Sequence, residues 1–307
     1  MKTIKIAGTL LALVLATAEL LVQLSGIIDM PLYKADNQLG YIPAPNQSGA
    51  FLHSRQWRFN EYSMGSAAFE PDPRRFNILL VGDSIVLGGN PLNQSDRLGP
   101  QLEKLSGWQV WPVSAGSWAL QNELAYLRTH PDVLQRVDAV AIVSNSGDFG
   151  EPSSWASPVT HPLQRPFPAL PFVFKKYVLA SVPPSEVKPE LRVSLRDWRA
   201  DLREFSRSFN KPVFIFMYPT QDELHDPEKM NEQLNSRIPE VQAQLDKSAK
   251  IFKVANLSDW NEGHYRDGVH PSGQGNIALA KIIKGNICRE KTEKMLCPDF
   301  RDSLMSQ

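Results

Sequence analysis

Largely apolar runs at residues 76–81, 109–113, 138–144 and 213–218 are short, and each gives way to a turn-rich polar stretch. Runs of that length, rich in Val, Ile and Phe, predict strands buried on both faces. Between them the rhythm changes. Residues 97–105 and 121–127 take helical spacing, and Leu191, Leu195, Trp198, Leu202, Phe205 and Phe209 follow at steps of four, three, four, three and four. Those six positions predict one continuous helical face, stopped by Asn210-Lys211-Pro212. Apolar strands alternating with amphipathic helices predict an α/β domain whose parallel sheet is covered on both faces, because crossover connections put helices there. In such sheets the site lies beyond the C-terminal ends of the strands.

Two stretches break the pattern. Residues 30–75 hold Gly, Pro, Asn and scattered aromatics without sustained periodicity, which predicts an irregular connector over 29–75. Residues 151–189 carry nine prolines and are too long for a simple connection, so they read either as a lid beside the site or as a surface excursion without a binding role.

The N-terminus narrows the compartment. Lys2 and Lys5 precede an uncharged, mostly apolar 6–18, the layout of an export segment. Ala16-Thr17-Ala18 has the small-x-small form of a cleavage site, yet 20–28 continues apolar, so a cleaved signal and an uncleaved anchor both remain open. Residues 6–28 as one helix would span roughly 34 Å, enough for a hydrocarbon core of about 30 Å, although Glu19 and Gln23 are poor lipid-facing residues. The chain is therefore expected either anchored in an inner membrane facing the periplasm or free in the periplasm. In an oxidising compartment the two cysteines, Cys288 and Cys297, favour a disulfide pinning the tail 288–307, with two free thiols as the alternative. The chain has 33 basic and 33 acidic residues among 307 and lacks a lysine and arginine run, which argues against a nucleic-acid partner.

Candidate chemistry sits at the predicted strand ends. Gly82-Asp83-Ser84, Ala115-Gly116-Ser117 and Asn145-Ser146-Gly147-Asp148 each follow a strand, so three polar turns should converge on one sheet edge. A serine becomes a nucleophile when a base takes its proton and a third group orients that base. Asp267 and His270, three residues apart before a predicted helix at 276–283, supply both, with Ser84 as their target and His264 as the rival base. The remaining histidines, His53, His130, His161 and His225, read as surface or structural. The oxyanion of an ester under attack needs donors worth about 3 kcal/mol each, and the N–H groups of Ser84 and Gly116 with the amide of Asn145 are candidates. Histidines and carboxylates lack metal-site spacing, so a reaction without metal or cofactor is expected.

Together these blocks resemble the SGNH hydrolases, the GDSL-type esterases, over about 76–283. "GDSIVLGG" resembles the family's first block, "SAGS" its second and "DGVHPSGQG" its last. The resemblance implies a flavodoxin-like three-layer α/β/α sandwich over 76–287, with Ser84 as nucleophile, Gly116 as oxyanion donor and Asp267 and His270 completing a triad. The third block departs: the family shows Gly-x-Asn-Asp, whereas "VSNSGDF" separates Asn145 from Asp148 by two residues. Aligning Asn145 keeps the side-chain donor; aligning Asp148 puts Gly147 in its place.

For an exported chain the resemblance further implies an ester, above all an acetate, on an extracytoplasmic carbohydrate, within reach of polysaccharide-assembly proteins. Trp108, Trp111, Trp118 and Trp155 are candidates for stacking on sugar rings, with core packing explaining Trp108 and Trp111 at least as well. An O-acetyltransferase using the same acyl-serine, and a non-catalytic carbohydrate-binding envelope component, are the alternatives. A lipid-directed esterase is less favoured, because the sequence shows no long apolar acyl groove.

Overall fold

The computed structural model describes residues 2–179, 186–256, 260–290 and 297. The parts of the proline-rich stretch at 180–185 and of the tail at 291–296 and 298–307 lie outside the described residues. Helix α1 (Lys2–Leu24) stands out from the domain over most of its length with its apolar side chains exposed, and its C-terminal turns, at Glu19 and Val22, pack on the domain. Its segment Ile4–Leu24 is long and apolar enough to cross a membrane. The predicted continuation to residue 28 is not helical: the chain turns after Leu24, with the Asp29 N–H donating to the Gly26 carbonyl and the Leu52 N–H to the same oxygen, both at 3.0 Å.

Residues 29–75 differ from the expected irregular connector. β1 (Tyr33–Asp36) pairs antiparallel with β2 (Gly40–Pro43), and β3 (Gln47–Phe51) with β4 (Arg55–Phe59). Strands of four or five residues are too short to show an alternation that stands clear of chance. Part of this region joins the main core all the same, since Leu39, Tyr41, Ile42, Met64 and Phe69 are buried in one cluster with the central sheet, while Trp57 and Phe59 of β4 form a small cluster of their own with Leu87. Gly40 lies at φ 76° and its α-carbon faces the Ser153 carbonyl so closely that a β-carbon would overlap it. Gly40→Ala therefore combines a left-handed backbone with a clash, and chemical denaturation should show a loss of about 1–3 kcal/mol.

The central sheet is built from β5 (Asn77–Gly82), β6 (Gln109–Ser114), β7 (Ala139–Ser144), β8 (Val213–Met217) and β9 (Ala249–Lys253), all parallel in the order β6-β5-β7-β8-β9. Numbered from its first strand, that order is 2-1-3-4-5, the flavodoxin-like winding. The helices are α2 (Ser84–Leu87), α3 (Leu98–Ser106), α4 (Leu120–Thr129), α5 (Pro131–Arg136), α6 (Ala169–Val173), α7 (Trp198–Ser208), α8 (Gln221–His225), α9 (Pro227–Lys229), α10 (Ser236–Gln242) and α11 (Gly273–Glu290). Alternate strand residues point to opposite faces. Leu79, Val81, Val140, Ile142, Val213 and Ile215 pack against α4, α5, α7 and α10, while Ile78, Leu80, Ala139, Ala141, Phe214 and Phe216 pack against α2, α3 and α11. The result is three layers, α/β/α.

Two further sequence readings are corrected. β9, absent from the predicted strands, carries only part of its length buried at the sheet edge and so lacks a continuous apolar run. The helical face read from Leu191 to Phe209 begins only at Trp198. Asp197 caps that helix, accepting the Arg199 N–H at 3.0 Å, and the Arg196 N–H upstream donates instead to Gln121 Oε1 at 2.8 Å. Leu195 is consequently 66% exposed. Cys288 and Cys297 form a disulfide with α-carbons 5.9 Å apart, the expected pairing.

Candidate active site

β5 runs into α2 with Asp83 as the cap: its carboxylate accepts the Ile85 N–H at 2.8 Å, which turns the chain and leaves Ser84 as the first helical residue. Ser84 thereby stands at the end of β5 beside β7, where the winding reverses direction and a crevice opens. From the far end of the chain, the turn after Tyr265 reaches the same edge. It is closed by a bridge between Tyr265 and Pro271. Tyr218 Oη donates to the Val269 carbonyl at 2.9 Å, the Gln221 N–H to the Gly268 carbonyl at 2.9 Å, and Arg266 Nη1 to the Gly88 carbonyl at 2.7 Å. These bonds fasten the turn to the ends of β8 and α2.

Within that turn the expected residues meet. His270 Nε2 lies 2.9 Å from Ser84 Oγ, and His270 Nδ1 lies 2.9 and 3.0 Å from the two carboxylate oxygens of Asp267. A carboxylate can only accept, so Nδ1 carries the proton and the Nε2 lone pair faces the serine hydroxyl. Burial acts to raise the Asp267 pKa. The N–H groups of His270 and Val269, at 2.8 and 3.0 Å, together with the imidazole outweigh it and hold the carboxylate at about 2. His264, the rival base, is engaged elsewhere: its ring stacks on Trp260 at 5.0 Å and its Nδ1 accepts the Asn261 N–H at 3.1 Å.

Gly116 sits past β6 where Ser117 takes a left-handed φ of 62°. The Gly116 carbonyl accepts from Tyr41 Oη at 2.7 Å, and among the described residues its N–H has no acceptor. Asn145 does not match the expected third donor. Its amide nitrogen lies 3.1 Å from Asp83 Oδ2 and 3.1 Å from Asp148 Oδ1, so both N–H groups are spent on carboxylates. Gly147, its alternative, donates its N–H to Asn145 Oδ1 at 2.7 Å. The two-residue spacer of the third block thus folds Asp148 back onto Asn145, and that closure consumes the donor.

Trp118 is likewise corrected. It is 1% exposed, with its indole N–H donating to the Tyr41 carbonyl at 2.7 Å, and so offers no face to a sugar. Trp155 is half-buried and donates to the His161 carbonyl at 2.7 Å. His161, read as surface or structural, is half-buried and lies near the site: its ring packs on Tyr41 at 3.9 Å and edge-on against Tyr33 at 4.7 Å, close to Gly116. Burial and the charge of Lys176 push the His161 imidazole down to about 4, so it stays neutral.

The sequence reading also missed a buried acid cluster behind the serine. Asp83, Glu123 and Asp148 are all buried, and both carboxyl oxygens of Glu123 lack a partner among the described residues. Burial raises all three: Asp83 to about 6, against the Ile85 N–H and the nearby His270, and Glu123 and Asp148 well above the usual carboxylate range, with the charges of their acidic neighbours adding to burial. A carboxyl whose folded pKa exceeds its unfolded value stabilises the fold below the unfolded pKa and loses that contribution as pH rises through the folded one. Glu123→Gln keeps the shape without the charge, so its thermal midpoint should exceed that of the wild type at about pH 8 and converge with it near pH 5. An unchanged pH dependence would show that Glu123 carries no proton to lose.

No protein-family profile matches the sequence, and no curated protein matches it. Among solved structures, the chain is similar to a GDSL-like lipase from Bacteroides ovatus at 13% identity and TM-score 0.40, covering 73% of this chain and 55% of that one. It is similar to the salicylyl-acyltransferase of a tetracycline biosynthetic pathway at 11% and 0.44, covering 70% and 55%. A third, a family two carbohydrate esterase from Clostridium thermocellum in complex with cellohexaose, matches at 13% and 0.39, covering 72% and 67%. The chain thus spans about half the length of the first two. With a 2-1-3-4-5 parallel sheet between two helical layers, a serine turn after the first strand and an Asp-x-x-His turn before the last helix, the chain has a flavodoxin-like three-layer α/β/α fold.

Proposed function

We propose that the protein is a serine esterase that removes acyl groups, above all acetyl, from a carbohydrate outside the cytoplasm. The observation that carries this is the 2.9 Å approach of His270 Nε2 to Ser84 Oγ, with Asp267 holding the far side of the ring. His270 takes the hydroxyl proton as Oγ bonds to the ester carbon. The N–H groups of Ser84 and Gly116 receive the oxygen that becomes negative, two donors instead of three. The carbon–oxygen bond to the sugar then breaks, and His270 returns its proton to the departing hydroxyl. Water, deprotonated by the same imidazole, cleaves the acyl-serine and restores the enzyme.

Openness to solvent favours hydrolysis over transfer to a second sugar: the Asp267 side chain is 49% exposed and His270 is part-exposed, so bulk water reaches the acyl-enzyme. Carbohydrate as substrate rests on the family resemblance, on the export segment and on the half-buried Trp155, which is bonded to His161, the neighbour of Gly116. Purified protein incubated with an acetylated polysaccharide should release acetate. Acetate appearing on an added sugar acceptor instead would identify a transferase. The chromogenic acetate assay on Ser84→Ala, described in the Discussion, tests the chemistry itself.

A further inference from the structure

Glu19 is an ionisable residue within the apolar stretch Ile4–Leu24, where it would be costly facing lipid alone. It faces protein. Its two carboxylate oxygens accept the N–H groups of Ala169 and Leu170 at 2.7 and 2.8 Å, the first residues of α6, and Gln23 Nε2 donates to it at 2.8 Å. Around this contact Val22, Ile27, Ile28, Met30, Ala169, Phe172 and Val173 form a separate apolar cluster. The proline-rich stretch is therefore docked onto α1 itself, at the height of Glu19 to Val22.

That height fixes what surrounds it. Glu19 lies five residues before the end of the helix, about 7–8 Å inside it at about 1.5 Å per residue. If Ile4–Leu24 fills a hydrocarbon core of about 30 Å, α6 lies alongside the last turns, at the boundary between acyl chains and headgroups. The exposed side chains of α6 and its neighbours suit such a place. Phe167 is 85% exposed and Val178 63%, with Phe174, Tyr177 and Leu179 also exposed. Residues 152–185 contain no Asp or Glu, while the exposed Arg165 and Lys175 supply positive charge of the kind that seeks anionic headgroups.

We infer that residues 163–179 form a second membrane contact, a monotopic surface around α6 that sinks Phe167, Phe174 and Tyr177 into the same bilayer that α1 crosses. The inference rests on α1 spanning a membrane, and its test separates the two. Full-length protein is reconstituted into phosphatidylcholine and phosphatidylglycerol vesicles as variants with one added cysteine that carries an environment-sensitive fluorophore, the Cys288–Cys297 disulfide being kept. The labels replace Phe167 or Tyr177 on the proposed surface, Leu13 in the middle of α1, and Lys247 at the opposite edge of the sheet. Phe167 and Tyr177 are exposed, so the substitutions F167C and Y177C remove few contacts that hold the fold.

With spin-labelled lipid present, the Phe167 and Tyr177 labels should lose a fraction of their emission comparable with the Leu13 label, while the Lys247 label keeps its own. Quenching at Leu13 but not at Phe167 and Tyr177 overturns the second contact and leaves the anchor standing. Shielded emission at those two sites without lipid quenching assigns the face to a protein and also overturns it. No quenching at Leu13 removes the spanning helix and the inference together.

Discussion

Hydrolysis of a chromogenic acetate ester by Ser84→Ala is expected to fall on the order of 10⁴-fold or more below wild type, to the level left by binding and oxyanion donors alone. Beyond the 2.9 Å contact with His270, the hydroxyl makes only a long 3.4 Å approach to Asp83 Oδ2. The turn itself is held by Asp83 capping the Ile85 N–H and not by the serine side chain. Circular dichroism and the unfolding midpoint should therefore match wild type. Equal turnover by both proteins would remove the esterase reading and leave a binding component of the envelope, whereas loss of turnover in a folded variant removes that component as the explanation.

Asp267→Asn is expected to lower kcat by roughly 10³–10⁴-fold with little change in KM. An asparagine amide can present an N–H to His270 Nδ1, which moves the imidazole proton to Nε2 and points a donor, not a lone pair, at Ser84. The geometry stays and the base is lost. Because the carboxylate stays ionised down to about 2, Asp267 should contribute no limb to the pH–rate profile above about pH 3. The double variant S84A/D267N should be no slower than S84A alone, since the two groups act through one proton transfer. A rate for D267N within a few-fold of wild type would mean that His270 keeps its tautomer by other means.

The sheet was legible because β5, β7 and β8 are buried along their whole length, so their apolar runs are continuous, and β9 was lost because edge burial breaks the run. The contact among Ser84, His270 and Asp267 was legible for a related reason: the three sit in short turns whose residue types stand out within a few positions. The roles of Asn145 and Trp118 depend instead on partners far along the chain, Asp83 for one and Tyr41 for the other, which a linear reading cannot place. His161 was missed for the same cause, because its position beside Gly116 comes from the fold of the proline-rich stretch over two hairpin tyrosines. The periodicity from Leu191 to Phe209 misled in the other direction, since apolar spacing continued through residues whose backbone is held by Gln121.

The segment between α1 and the first hairpin has a mechanical consequence. Asp29 accepts the Ala50 N–H at 2.8 Å through its side chain and the Trp57 indole N–H at 3.1 Å through its carbonyl, and Gln47 binds Leu32 through both backbone groups. Slack for the domain to swing is therefore absent from this junction. If α1 is held in a membrane as proposed, the serine edge keeps one attitude and one altitude over that support.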